Sequence, residues 1–118
     1  MRDQYTELAQ LAADVADSKK ARDVVILDIS KLAVIADFFV ICSANSRTQV
    51  QAIADAMEEQ LAQKGVRCRG IEGRDEGKWV LLDFGDLVVH IFQGEEREFY
   101  GLERLWGDAP RLPVQISS

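Results

Sequence analysis

A chain of 118 residues, 47% hydrophobic and 29% charged with two prolines, has the size and composition of one folded domain and excludes a disordered tail or a disulfide-dependent scaffold. Twenty acidic against fourteen basic residues give a formal net charge of −6, which disfavours direct nucleic-acid binding and favours basic protein surfaces. No apolar run approaches the ~20 residues that span a bilayer, the N-terminus lacks the apolar core of a secretory signal, and Cys42 and Cys68 show no CxxC spacing, so free thiols and a cytoplasmic setting are expected.

Tyr5, Leu8, Leu11, Ala12 and Val15 recur at helical spacing and predict an amphipathic first helix. Val24 to Ile29 is a short β-branched run, expected as a strand buried on both faces, and Phe38 to Cys42 repeats it with Asp37 just before. Ser46 and Gln49 then fit an S-x-x-Q capping box, followed by the apolar stripe Val50, Ile53, Ala54, Met57 and Leu61. Gly65 is placed to close that helix in a left-handed conformation. Val66 and Cys68 alternate with arginines, predicting a half-exposed strand that ends at Gly70 or Gly73.

Two strand-like runs, Trp79–Phe84 and Leu87–Phe92, flank Gly85-Asp86, the pattern of a hairpin with a type II′ turn. A last helix through Phe99, Leu102, Leu105 and Trp106 ends at Gly107, with Gly101 inside it at a cost of ~1 kcal/mol relative to alanine. The order predicts a single α/β domain over 1–107, a mixed five-stranded sheet with flanking helices, and a short C-terminal tail at 108–118. Three small helices cover two sheet faces only in part, so an exposed sheet face is expected.

Hairpin register sorts the side chains of that unit. Val80, Leu82, Phe84, Leu87, Val89 and Ile91 share one wholly apolar face, which belongs to the core. Trp79, Leu81, Asp83, Val88, His90 and Phe92 share the other, where large apolar groups stand beside an acid and the chain's one histidine. Burying Asp83 and His90 without partners costs several kcal/mol, on the order of 2–7 per group, whereas a partner-docking patch combines an aromatic anchor, aliphatic contacts and charge. The expected function of this face is docking, with Trp79 as anchor, and His90 would lend it pH dependence near the unperturbed value of ~6.5.

The motifs Leu27-Asp28-Ile29-Ser30, Ala36-Asp37-Phe38-Phe39-Val40-Ile41-Cys42-Ser43, Trp79 through His90, Glu96-Arg97-Glu98-Phe99-Tyr100 and Leu102-Glu103-Arg104-Leu105-Trp106 resemble, in order, those of the ribosomal silencing factor family, RsfS, also called Iojap. The resemblance covers nearly the whole chain. It implies a nucleotidyltransferase-like fold without the catalytic motif, no cofactor, and binding to the large ribosomal subunit through ribosomal protein fourteen. Such binding obstructs the small subunit and represses translation when nutrients are scarce. It also places partner contacts on Trp79, Leu81, Asp83, Val88 and His90, with Asp86 beside them. Ala44, where the family pattern has glycine, and Gly101, where it has a polar helix former, depart from it.

Two other readings stand beside docking to the ribosome. A working nucleotidyltransferase needs a glycine-containing phosphate turn after a strand and two adjacent acids for magnesium. The chain offers Ser43-Ala44-Asn45-Ser46 and no D-x-D pair. One histidine and two cysteines make a poor zinc site. An exposed patch of Trp79, Leu81 and Phe92 also suits self-association, so a free homodimer that opens onto the ribosome is expected to use the same surface.

Overall fold

The computed structural model describes residues 2–114. Along the chain run α1 (Arg2–Ser18), β1 (Arg22–Asp28), β2 (Phe38–Ala44), α2 (Arg47–Gln63), β3 (Gly70–Glu72), β4 (Trp79–Asp83), β5 (Leu87–Gln93), α3 (Glu96–Tyr100), α4 (Leu102–Leu105) and β6 (Arg111–Leu112). The strands form one mixed sheet in the order β3-β4-β5-β2-β1-β6. β2 and β5 are parallel neighbours at its centre, and the other pairings are antiparallel.

α1 and α2 lie side by side on one face. Ala9, Ala12, Ala13 and Ala16 are fully buried along α1, and side chains this small let the helix backbone approach the sheet closely. The expected stripe of α2 is buried at all five positions, Val50, Ile53, Ala54, Met57 and Leu61, each large member contributing about 1.5–3 kcal/mol by leaving water. Its cap differs slightly from a reciprocal box. Ser46 Oγ accepts from Gln49 N, but the Gln49 carboxamide takes the Asn45 N–H at 2.7 Å and donates to the carbonyls of Lys19 and Lys20. Gln49 thus ties the start of α2 to the end of α1. Gly65 takes φ +82° just past the helix, as the sequence predicts.

The hairpin has the predicted register, from Trp79 opposite Phe92 to Asp83 opposite Val88. Gly85 takes φ +91° at the turn, and the Phe84 N–H donates to the Leu87 carbonyl at 2.9 Å. Val80, Leu82, Phe84, Leu87, Val89 and Ile91 all join the main core beneath the helices.

Four expectations are corrected. The sheet has six strands, because Arg111–Leu112 pairs with Leu27 and Ile26 of β1. The segment after Gly107 is accordingly bound to the domain: the Asp28 N–H donates to the Pro110 carbonyl and Ala109 is buried. Residues 115–118 of the expected tail lie outside the described residues. The third strand begins at Gly70 and not at Val66, since its ladder with β4 runs from Gly70 opposite Asp83 to Glu72 opposite Leu81. β1 is buried on both faces only at Ile26 and Leu27; its start is bulged between Arg22 and Val25, with Asp23 at φ +52°. The last helix is broken in two, because Gly101 sits at φ +60° and caps α3 while starting α4. A residue in that left-handed conformation cannot continue the helix.

Candidate protein-docking face

The sheet face opposite α1 and α2 carries a second apolar cluster. Leu27, Ile29, Phe39, Ile41, Val88 and Phe92 form its buried part, and Trp79 and Leu81 pack against it. Two covers lie on this cluster. The β1–β2 connection lowers Ala33 and Ala36 onto it, and the α3–α4 strap contributes Leu102 and Trp106. Trp106 stands edge-on to Phe39 with ring centroids 5.7 Å apart, and Tyr100 lies 4.5 Å from Trp79.

The face is therefore less open than register alone predicts. Phe92 is 0% exposed, His90 3% and Val88 9%. Short helices with a glycine break, and a loop between strands, supply this cover; neither has the periodicity that would announce it. Trp79, Leu81 and Asp83 are half-buried, and Asp86 is exposed at the hairpin tip.

Two of the polar groups are held internally. The Asp83 carboxylate accepts the Gly85 N–H at 2.8 Å, so it shapes the turn whatever else it does. The Trp79 indole N–H donates to His90 Nδ1 at 3.1 Å, and the same indole stacks on Phe92 at 5.2 Å. Accepting at Nδ1 makes His90 the neutral tautomer with its proton on Nε2. Nε2 is buried and has no hydrogen-bond partner among the described residues. Burial pushes the imidazole down from 6.5 to about 4, so it does not titrate near neutrality as the sequence predicts.

Sequence reasoning missed the most exposed apolar side chains. Leu32, Val34 and Ile35 of the β1–β2 connection are exposed, as are Phe99, Tyr100 and Leu105 on the strap. The connection abuts the hairpin tip, where the Asp86 carbonyl accepts the N–H groups of Asp37 and Phe38. Val34 and Ile35 precede that bonded stretch in the connection, between Ala33 and Ala36, which pack onto the same face. The signal was there in Leu32-Ala33-Val34-Ile35-Ala36, an apolar run where a loop would ordinarily be polar.

The strap is fastened at one corner. Arg97 donates to Glu103 at 2.6 Å, to the Asp23 carbonyl at 2.7 Å and to Ser43 Oγ at 3.0 Å, and the ion pair holds the Glu103 carboxyl below the usual range. An open hollow of about 660 Å³ beside it is lined by Arg97, Arg104 and Arg111 and by Asp23, Glu98 and Glu103. These three cations and three acids sum to no net formal charge. In the turn after β2, the position of a phosphate loop in a transferase, the Asn45 N–H is taken by the Gln49 side-chain oxygen.

A family model described as ribosomal silencing factor during starvation matches residues 2–118. The chain belongs to the ribosomal silencing factor family, RsfS. An RsfS of Halalkalibacterium halodurans is 47% identical over 109 residues, which cover 92% of this chain and 93% of that protein. A crystal structure of a Chromobacterium violaceum protein superposes with a TM-score of 0.85 at 34% identity, covering 96% of this chain and 92% of that one. A mouse protein named mitochondrial assembly of ribosomal large subunit protein 1 is 33% identical over 93 residues, 75% of this chain and 40% of its own length. The RsfS resemblance read from the motifs is thereby established, and translation regulation with it.

Proposed function

We propose that this RsfS-family chain works in the cytoplasm by docking the face opposite α1 and α2 onto the large ribosomal subunit, through ribosomal protein fourteen. It thereby obstructs the small subunit and represses translation under nutrient limitation. One observation supports the placement: this face carries half-buried Trp79 and Leu81, and the β1–β2 connection that packs Ala33 and Ala36 onto it leaves Val34 and Ile35 exposed. Apolar contact area next to acidic groups suits a basic protein surface, and the net charge of −6 steers the approach. The name of the mouse relative, which speaks of the large subunit, supports the same partner. Trp79, Leu81, Asp83, Asp86 and Val88 contribute the contact, while His90 and Phe92 form its floor. A binding role is supported over catalysis because the turn after β2 lacks a glycine and has its Asn45 N–H bonded to Gln49, and Asp83 accepts the Gly85 N–H in its own turn.

The experiment is cosedimentation with purified large subunits using Leu81→Lys and the pair Val34→Asp with Ile35→Asp. These side chains stand at or near the surface, so the variants are expected to fold, with binding weakened at least tenfold. Folded variants that bind as well as the parent would misplace the face. Asp83→Asn keeps the turn acceptor while removing the charge, and is expected to weaken binding chiefly at low salt.

A second use of the same face is self-association of the free chain. Exposed Ile35, Phe99 and Leu105 favour it. Light scattering across a concentration series is expected to show a mass that rises toward a dimer, and a monomer mass at every concentration would count against it.

A further inference from the structure

The α3–α4 strap lies over the deepest part of the face and is held there by side chains projecting from two very short helices. Neither helix has a buried residue, and Phe99 and Leu105 point their apolar groups into water. What fastens it is the Arg97 corner, the Arg111–Glu103 pair, the packing of Leu102 and Trp106 on the apolar cluster, and ring contacts of Tyr100 with Trp79 and Phe92 and of Trp106 with Phe39. The Phe39 and Trp79 rings flank His90, which lies 4.6 Å from Phe39 and 6.0 Å from Trp79. Between them, His90 Nε2 holds a buried proton donor that nothing in the described residues accepts. Buried donors left unpaired are rare because each forfeits its hydration without compensation. The closed arrangement therefore carries a penalty that an acceptor would remove, and Gly101, already in the left-handed conformation, is a natural pivot.

We propose that the α3–α4 strap is a displaceable cover over the docking face, and that a backbone carbonyl of a basic protein partner accepts the His90 Nε2 proton once the strap moves aside. This rests on the docking function proposed above and adds to it a hidden contact with a defined chemistry. A neutral carbonyl fits better than a carboxylate, because the surrounding chain is acidic and the contact is ringed by aromatic groups. The wild-type chain pre-pays nothing for opening, so its association is slowed by the fraction of time the strap is closed.

Amide hydrogen exchange on the free chain tests the strap without any partner. The hydrogen-bonded amides of Phe99, Gly101, Leu105 and Trp106 are expected to exchange through a local opening, far faster than those of β5, and Arg97→Gln is expected to speed them about tenfold while leaving β5 unchanged. Strap amides as protected as β5, or indifferent to Arg97→Gln, would overturn the cover. Binding kinetics on immobilised large subunits test the contact. Arg97→Gln is expected to associate faster than the parent, and His90→Phe to dissociate at least about tenfold faster; equal dissociation of a folded His90→Phe would overturn the carbonyl contact. Failure of the parent itself to bind would refute the docking function, and the carbonyl contact with it, while the exchange data would still decide whether the strap opens.

Discussion

Lowering the pH from neutrality to 5 should destabilise this protein through a single side chain. His90 is neutral and buried when the chain is folded, with its titration moved from 6.5 down to about 4. In the unfolded chain it regains its ordinary value. Between those two values the unfolded state binds a proton that the folded state refuses, so stability is complete above pH 6.5 and falls as the pH falls. The slope is about 1.4 kcal/mol per pH unit, which gives about 2 kcal/mol lost by pH 5 and about 3 kcal/mol by pH 4. Against a total of about 5–15 kcal/mol for a domain of this kind, that is a large share. Glu103, held low by Arg97, acts in a separate window, since its contribution is present above 4.5 and lost only below it. Denaturant midpoints measured every half pH unit from 7.5 to 5 are the assay, run in parallel on His90→Phe. The parent is expected to follow the slope and the variant to lose it. Parallel curves for the two proteins across that interval would refute the assignment of a buried neutral imidazole.

Gly73→Ala is expected to destabilise by at least about 2 kcal/mol, a fall in Tm on the order of 10 °C for a domain of this size. Gly73 has φ +81°, and an added Cβ would collide with the Trp79 carbonyl oxygen; a melting curve within two degrees of the parent would be the contrary result. Native thiol titration should separate the cysteines. Burial pushes the Cys42 thiol up to about 12, so it is expected to react only at the unfolding rate, whereas part-exposed Cys68 reacts directly; prompt modification of both would contradict the packing of β2. Ser46→Ala removes the acceptor for Gln49 N at the start of α2 and is expected to cost about 1 kcal/mol in chemical denaturation.

Elements with a strong period were readable from the sequence. The α2 stripe and both of its ends, the hairpin register and the apolar inner face of the hairpin all follow from spacing of side chains and from the demands of a two-residue turn. What was not readable is cover by weakly periodic segments. β6 is two residues long, and its pairing beside β1 is a tertiary placement that no local pattern encodes. Gly101 was legible as a weak point in a helix, but its left-handed φ, which makes two helices of one, depends on how Trp106 and Tyr100 pack. The same contacts explain the altered reading of the site. Register placed Trp79, His90 and Phe92 on one face correctly, and the strap and the β1–β2 connection add the cover that register does not reveal. Val34 and Ile35 lie in a connection without period, where sequence spacing does not say which apolar side chains stay exposed.

Purified large and small ribosomal subunits, each incubated with the protein and separated from free chain by sedimentation, test the docking account most directly. The protein is expected in the large-subunit pellet, reduced at least tenfold by Leu81→Lys, and to lower the yield of joined ribosomes when small subunits are added afterwards. Preference for the small subunit, or undiminished joining with the large subunit saturated, would contradict it.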